Sequence, residues 1–203
     1  GMTECSPVIS FNRPGKSVIG SVGPALPGCE LMIDSPNGEG IGEILVRSAS
    51  VTPGYLNDEA KTREILRDGW LVTGDLGKIV NGHLYISGRV KNLIVSAGGK
   101  NIYPEEIETK LLESNLISEA LVIGRKKEGR QGEEVTALIF PDAEELALHG
   151  GDPDADGGAD LINEVVAALN RSLADYKRIA NWEIVDTEFE KTASRKIKRS
   201  LYH

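Results

Sequence analysis

The sequence predicts an α+β chain in two parts, a mainly-β segment over residues 1–88 and a small α+β domain over residues 89–203. Three observations carry that expectation. Over the first ninety residues, turn formers recur closely (Pro24, Pro27-Gly28, Pro36-Asn37-Gly38, Gly42), leaving room only for short strands paired as hairpins of a small curved sheet. Asn81-Gly82, set between apolar runs, is the strongest hairpin signal in the chain. Past Arg89 the texture changes, and apolar residues three and four apart alternate with strand-like runs.

In the first part, residues 19–22, 30–33 and 43–46 have strand character. Asn57 is placed to cap a helix starting at Asp58-Glu59, with acids in its first turn, that runs to about Arg67. Residues 76–80 and 83–86 form the arms of the Asn81-Gly82 hairpin. In the second part, residues 93–96 and 100–102 flank a Gly98-Gly99 turn. Pro104 suits the first turn of a helix whose apolar face is Ile107, Leu111 and Leu112. Residues 120–123 and 135–140 read as strands, joined by a polar, solvated connection over 125–134. A second helix starts after Asp160, with Leu161, Val165, Leu169 and Leu173 four apart on one stripe. Residues 182–185 make a last short strand.

Residues 150–160 read as a mobile acidic loop. Asp152, Asp154, Asp156 and Gly157 imitate the first half of a calcium loop. The twelfth position, however, is Asn163 where a bidentate Glu is required, and Pro153 interrupts the pattern.

Composition narrows the function classes. The formal net charge of −8 argues against nucleic acid as a main partner, because phosphate backbones are met by clustered Lys and Arg. Residues 191–199 reverse that balance locally, with five basic groups (Lys191, Arg195, Lys196, Lys198, Arg199) and no acid. Cys5 and Cys29 have neither a metal spacing nor a disulfide pattern, so a cytoplasmic setting is expected. No apolar run is long enough to be a transmembrane segment, and the start is not a signal peptide. Peripheral membrane association through another part of the protein stays open. The start, Gly1-Met2-Thr3-Glu4, reads as an excised piece as readily as a tag remnant.

Three stretches can carry chemistry. In Thr73-Gly74-Asp75, a carboxylate held by a turn can accept two hydroxyl hydrogen bonds, as a ribose offers them; alone, it also reads as a turn closed on its own backbone. In the stretch 87–92, followed by 96–101, Arg89 offers a planar fork and the glycines allow close backbone approach. Alone, that stretch reads first as an ordinary hairpin turn, with a binding loop or a pivot as the alternatives, and it is not a phosphate P-loop. In residues 190–199, a flexible tail bearing Lys196 can bring an ammonium to developing negative charge, or simply be a solvated basic end. His83, His149 and His203 are scattered and read as surface groups.

Taken together and in order, these phrases resemble the adenylate-forming superfamily of acyl-CoA synthetases, luciferases and peptide-synthetase adenylation domains. The matching stretches are Gly1-Met2-Thr3-Glu4, Pro53-Gly54-Tyr55, Asp68-Gly69-Trp70 with Thr73-Gly74-Asp75, and Gly88-Arg89-Val90-Lys91-Asn92. They continue with residues 98–108 and with Lys191-Thr192 and Arg195-Lys196-Ile197. The resemblance implies that residues 1–88 end the family's large AMP-binding domain as a distorted barrel-like subdomain. Residues 89–203 would then be its mobile C-terminal domain. It implies a parent enzyme that activates a carboxylic acid with ATP and Mg2+ to an acyl-adenylate, then passes the acyl group to coenzyme A.

By the same resemblance, Thr3 would contact the adenylate phosphate, Glu4 would help hold magnesium, and Asp75 would bind the ribose hydroxyls with Arg89 assisting. Lys91 matches the hinge position. Gly98, Gly99 and Lys100 match the loop of the thioester step, and Lys196 matches the lysine that stabilises charge during adenylation. The wording of residues 98–108 looks most like long-chain fatty-acid–CoA ligases, so a fatty acid is the implied substrate. An adenylation domain that loads a carrier-protein thiol, or a non-catalytic interaction module keeping the fold, are the alternatives. Two departures stand out. Arg195 replaces the family's usual Gly before the final lysine, and the upstream ATP-gripping loop is absent, so a missing N-terminal domain is expected in cis and the isolated chain is expected to be inactive.

Overall fold

The computed structural model describes residues 1–126, 129, 131–151 and 156–202. The chain forms two compact units, Gly1–Lys91 and Asn92–His203. Each has its own apolar core.

The first unit is a curled five-stranded sheet with a single α-helix. Its elements are β1 (Cys29–Asp34), β2 (Gly42–Ser48), α1 (Glu59–Ile65), β3 (Leu66–Arg67), β4 (Trp70–Val80) and β5 (His83–Arg89). The strand order is β1-β2-β4-β3, with β5 also on β4. The long β4 is the spine, because β2, β3 and β5 all pair antiparallel with it. The β4–β5 turn is the predicted one: Asn81 and Gly82 have φ of 49° and 76°, the left-handed pair that a two-residue hairpin requires. Ile44, Val46, Leu71 and Leu84 bury one face of the sheet against Cys5 and Ile9.

Two predictions fail here. Residues 19–22 are a turn and not a strand. Asn12 pins this turn with its side chain, donating to the Ser21 carbonyl (2.6 Å) and accepting from Val18 N–H (3.4 Å). Gly20 is left-handed, and Ile19 is left exposed. The cap of α1 is also one residue later than predicted. Asn57 takes φ 55°, and the Asp58 carboxylate accepts from Lys61 N–H (3.0 Å). The helix then stops at Ile65, because Leu66 and Arg67 are drawn into pairing with Leu71 and Trp70.

The second unit contains β6 (Ile94–Val95), β7 (Asn101–Ile102), α2 (Pro104–Leu111), β8 (Ile117–Lys126), β9 (Glu133–Pro141), α3 (Ala143–Leu148), α4 (Asp156–Ser172) and β10 (Asn181–Ile184). Its main sheet is ordered β10-β9-β8, with β10 parallel and β8 antiparallel to β9. Both faces of this sheet are covered. Ala120, Val122, Val135, Ala137 and Ile139 pack with α2 and α4, whereas Leu121, Ile123 and Leu138 pack beneath Phe189, Val185, Ile197 and Tyr202 of the C-terminal segment. That period-two division is the pleat of the strands.

Leu112 lies past the end of α2 and is exposed, so the helix buries only Ile107 and Leu111 with Pro104. The strands β8 and β9 extend into the connection predicted over 125–134. Helix α4 begins before Asp160, and its deepest residues are Ile162 and Val166, with Leu161, Val165 and Leu169 flanking them. The short α3 was not predicted; Asp142 caps it by accepting from the N–H groups of Glu144 and Glu145 (both 3.1 Å). Of the calcium-like loop, Asp152, Pro153 and Asp154 lie outside the described residues, and Gly157 belongs to α4.

Candidate functional site

In the first unit the site residues are set by two irregularities in β4 and its neighbours. The β2–β4 register shifts between Glu43 and Leu45, and the β4–β5 register shifts between Leu76 and Gly77. Bulges of this kind turn a side chain out of the ladder. Gly74 supplies the necessary left-handed residue, φ 70°, in a place where an added Cβ would also touch the Arg89 guanidinium at 3.5 Å. Thr73 anchors the bulge. Its buried hydroxyl donates to the Ile44 carbonyl (2.8 Å) and accepts from Asp75 N–H (3.1 Å).

Asp75 is thereby presented half-buried opposite Arg89, its register partner on β5. Arg89 Nε meets Asp75 Oδ1 at 2.8 Å, and the same guanidinium donates to the Thr73 carbonyl at 3.2 Å. The second Asp75 oxygen has no hydrogen bond among the described residues. The result is a pre-aimed carboxylate with an arginine beside it, suited to a pair of hydroxyls. Trp70 from the same phrase is structural: Arg47 stacks 4.5 Å over its ring while pairing with Glu30.

Thr3 and Glu4 begin a short 3-10 turn, Thr3–Cys5, whose Cys5 is buried in the sheet core. Glu4 is bound at two points to the segment 52–55, which contains the Pro53-Gly54-Tyr55 phrase. Its carbonyl accepts from Thr52 N–H (2.8 Å), and its Oε1 accepts from the Tyr55 hydroxyl (2.7 Å). That hydrogen bond raises the Tyr55 phenol above its usual pKa, since it is made to a carboxylate. Thr3 is exposed. Among the described residues no three acids, histidines or cysteines gather to hold a metal. One anchored carboxylate still fits magnesium, which commonly takes one or two carboxylates and completes its shell with phosphate and water.

Lys91 is exposed and is the last residue of the first unit, within the 3-10 turn Val90–Asn92. On the far side of it, Asn92 donates to Glu105 of α2 at 2.6 Å.

The second unit presents two lysines on turns. Between β6 and β7, Gly99 N–H donates to the Ser96 carbonyl (2.9 Å), Ser96 N–H to the Lys100 carbonyl (3.0 Å), and Lys100 N–H to the Ser96 hydroxyl (3.1 Å). Gly98, Gly99 and Lys100 are all exposed, and Gly99 has φ 70°. The segment predicted as a flexible tail is likewise a hairpin. Lys198 N–H donates to the Glu190 carbonyl (2.8 Å), Lys191 bridges Ile197, and Thr192 N–H donates to the Lys196 carbonyl (2.8 Å). Its turn is closed by Arg195 N–H on the Thr192 carbonyl (2.9 Å), with Arg195 at φ 61°. Lys196 stands exposed at its end, and its ammonium has no ion pair among the described residues.

The feet of this hairpin are carboxylate contacts that sequence reasoning missed, although Lys191 and Arg199 were among the basic residues it singled out. Glu119 accepts from Phe189 N–H (3.0 Å) and pairs with Lys191, which also meets Glu188 at 3.0 Å. These hydrogen bonds raise the Lys191 pKa. Arg199 pairs with Glu108 of α2 and donates to the Val122 carbonyl (2.9 Å). An open cavity of about 620 Å³ lies against the Lys191 foot, lined by Ser118, Glu119, Phe140, Glu188, Lys191 and Arg195. Its two acids and two bases offset each other.

Residues 91–203 match the family described as AMP-binding enzyme C-terminal domain, and residues 1–56 match the family described as AMP-binding enzyme. The chain is similar to an indoleacetate–CoA ligase of Aromatoleum aromaticum, 37% identical over 98% of this chain and 38% of that protein. It is also similar to a long-chain-fatty-acid–CoA ligase of Xenopus laevis, 35% identical over 95% of this chain and 30% of that protein. The chain thus spans less than two-fifths of the length of either relative. Among solved structures, the O-succinylbenzoate coenzyme A synthetase of Bacillus subtilis in complex with AMP superposes with a TM-score of 0.80, at 31% identity, over 100% of this chain and 39% of that one. The anthranilate CoA ligase AuaEII in complex with anthranoyl-AMP gives 0.82 at 29% identity, over 99% and 38%.

Proposed function

Because the chain belongs to the AMP-binding enzyme family, we propose that it is the carboxyl-terminal region of an ATP-dependent acid–thiol ligase. In that reading the parent forms an acyl-adenylate and pyrophosphate from an acid and ATP, and coenzyme A then displaces AMP. The observation that carries it is the Asp75 bulge. A carboxylate turned out of its ladder, fixed on one oxygen by Arg89 and open on the other, is matched to the two adjacent hydroxyls of a ribose.

Each role follows from what its group can do. Asp75 accepts from the ribose hydroxyls and Arg89 orients it. Thr3 offers a hydroxyl to the phosphate. Glu4, steadied by Tyr55, is the carboxylate on which magnesium would be held, and the ion when bound lowers the charge of the polyphosphate. Lys196 lends an ammonium to the charge that develops on carboxylate and α-phosphate oxygens during adenylation. The Gly98-Gly99-Lys100 turn serves the thioester step, and Lys91 is the pivot between the two uses of the second unit. The parent is expected to act in the cytoplasm or at a membrane surface; no described helix is long and apolar enough to cross a membrane.

A fatty acid is the proposed substrate, from the wording of residues 98–108 and the long-chain relative. An aromatic acid is the second reading, favoured by the 37% identity to an indoleacetate ligase. Acid-dependent ATP–pyrophosphate exchange by the full-length parent, scanned over fatty acids of rising length and over aryl acids, tests both. Exchange highest with a fatty acid is expected. Exchange confined to aryl acids replaces the substrate, and exchange with no acid removes the function. The isolated chain is expected to show no turnover.

A further inference from the structure

Among the described residues, strand β8 is an edge of its sheet, with β9 on its one paired side. At Val122 the outward backbone is satisfied by side chains. Its N–H donates to Glu108 Oε1 (2.7 Å), its carbonyl accepts from Arg199 Nη1 (2.9 Å), and Arg199 Nη2 pairs with that same Glu108 oxygen. Glu108 and Arg199 together stand in for the peptide of a missing neighbour strand. Their side chains are only 15% and 16% exposed. A pair this buried stabilises little against an apolar pair of the same size, so its contribution is to register and not to strength.

What it registers is the lysine hairpin. Arg199 follows the returning arm, directly after the rung from Lys198 N–H to the Glu190 carbonyl. The outgoing arm is fastened at Glu119, also on β8, through Phe189 N–H and Lys191. Both feet therefore stand on one strand, three residues apart, about 10 Å at the rise of a β-strand. Glu108 itself lies on α2, with Ile107 and Leu111 to either side along the helix sunk in the core, so the anchor on which Arg199 rests is rigid.

We propose that Glu108 is a positioning residue for Lys196: through Arg199 it fixes the arm that presents the ammonium, without touching substrate itself. The inference rests on the assignment of Lys196 to adenylation. Ground-state binding does not need that ammonium in place, but the transition state does, and a shift of about 1 Å can lower a rate about 100-fold. The test uses Glu108→Gln in the full-length ligase, alone and combined with Lys196→Ala.

Expected for Glu108→Gln is a loss of roughly tenfold or more in the turnover of ATP–pyrophosphate exchange, with KM for ATP and acid within about twofold. Thioester formation from supplied acyl-adenylate should stay within about twofold. In the Lys196→Ala background, Glu108→Gln should have no further effect, because it acts only through the lysine. A purely structural role would lower both half-reactions and multiply with Lys196→Ala, which overturns the proposal. So would unchanged exchange in the single variant. If Lys196→Ala itself leaves exchange intact, the assignment of the lysine fails instead, and that result is read separately. Should Glu108→Gln not fold, Arg199→Lys, which removes the guanidinium fork between Glu108 and Val122, is put through the same cycle with the same expected outcomes.

Discussion

The second unit contains one turn built twice. Ser96-Ala97-Gly98-Gly99-Lys100 and Thr192-Ala193-Ser194-Arg195-Lys196 share their hydrogen bonds: a hydroxyl residue opens the turn, a left-handed residue precedes the lysine, and the lysine N–H returns to the opening hydroxyl at 3.1 and 3.2 Å. Their foundations differ. The first turn stands mainly on Ile94 and Ile102, both buried in the main core, with one carboxylate beside them, Glu133, accepting from Val95 N–H at 3.1 Å. The second stands on carboxylates of α2 and β8, with Ile197 only half-buried. Packed apolar feet go on holding a turn when a neighbouring carboxylate takes up a proton. Charged feet hold it by geometry that one proton or one substitution can release. Two lysines on the same scaffold are therefore held by different physics.

The comparison breaks most visibly at the lysines. Lys196→Ala is expected to lower acid-dependent pyrophosphate exchange by about 100- to 1000-fold, as for loss of a preorganised donor to developing charge. Thioester formation from supplied adenylate should survive. Lys100→Ala should do the reverse, leaving exchange within about threefold. Equal losses of exchange in both variants would mean that the turns are not divided between the two half-reactions.

A smaller effect sharpens the comparison at the left-handed position. An added Cβ on Gly99 meets nothing within 4 Å, so Gly99→Ala tests backbone strain alone. A cost of about 1 kcal/mol is expected, read as a shift in the denaturation midpoint. Arg195, at φ 61°, already carries that strain and makes no described hydrogen bond with its side chain. Arg195→Gly should therefore be neutral or stabilise by up to about 1 kcal/mol, the relieved strain being partly offset by the freer unfolded chain. Slower amide exchange at Lys196 in Arg195→Gly would place the gain in the turn itself. A loss of stability would show that Arg195 makes a contact worth more than its strain.

The same contrast explains which parts were legible in the sequence. The Gly98-Gly99 turn and the Asn81-Gly82 hairpin are written in residues that tolerate positive φ, so both were readable. The second lysine turn places Arg195 where a glycine would have announced it, and the segment read as a flexible tail. Strands with period-two burial were found but drawn short, since Glu133, Glu134 and Lys126 continue the pairing with polar side chains. Residues 19–22 have strand composition, yet a side-chain network from Asn12 folds them into a turn, which local propensity does not register. The site phrases were readable as phrases. What holds them was not: Thr73 reaches Ile44 across 29 residues, Tyr55 reaches Glu4 across 51, and Arg199 reaches Glu108 across 91. No local pattern encodes a partner at that distance.

The smallest expected effect is the one that distinguishes charged from apolar feet by pH. Burial pushes the Glu108 carboxyl above the usual glutamate range, and the nearby Glu105 adds to this, while Arg199 and the Val122 N–H pull it back without cancelling it. The sign follows from proton counts. Between the unfolded and the raised folded pKa, the folded state holds more protons, so Glu108 favours folding more as pH falls through that window and less as it rises. The stability difference between the parent chain and Glu108→Gln should therefore shift towards the parent on acidification, flat at higher pH and changing only in the range just above an ordinary glutamate. Protonation also removes the ion pair with Arg199, so amide exchange at Thr192 and Lys198 should quicken over that same window, although the fold as a whole is not weakened there by this group. The Ser96 and Lys100 amides provide the comparison, because their turn rests on the packing of Ile94 and Ile102, and its neighbouring carboxylate, Glu133 on Val95 N–H, is not part of the Glu108–Arg199 pair. If the intrinsic pH dependence of exchange is subtracted and both turns loosen together, the distinction between their foundations is lost.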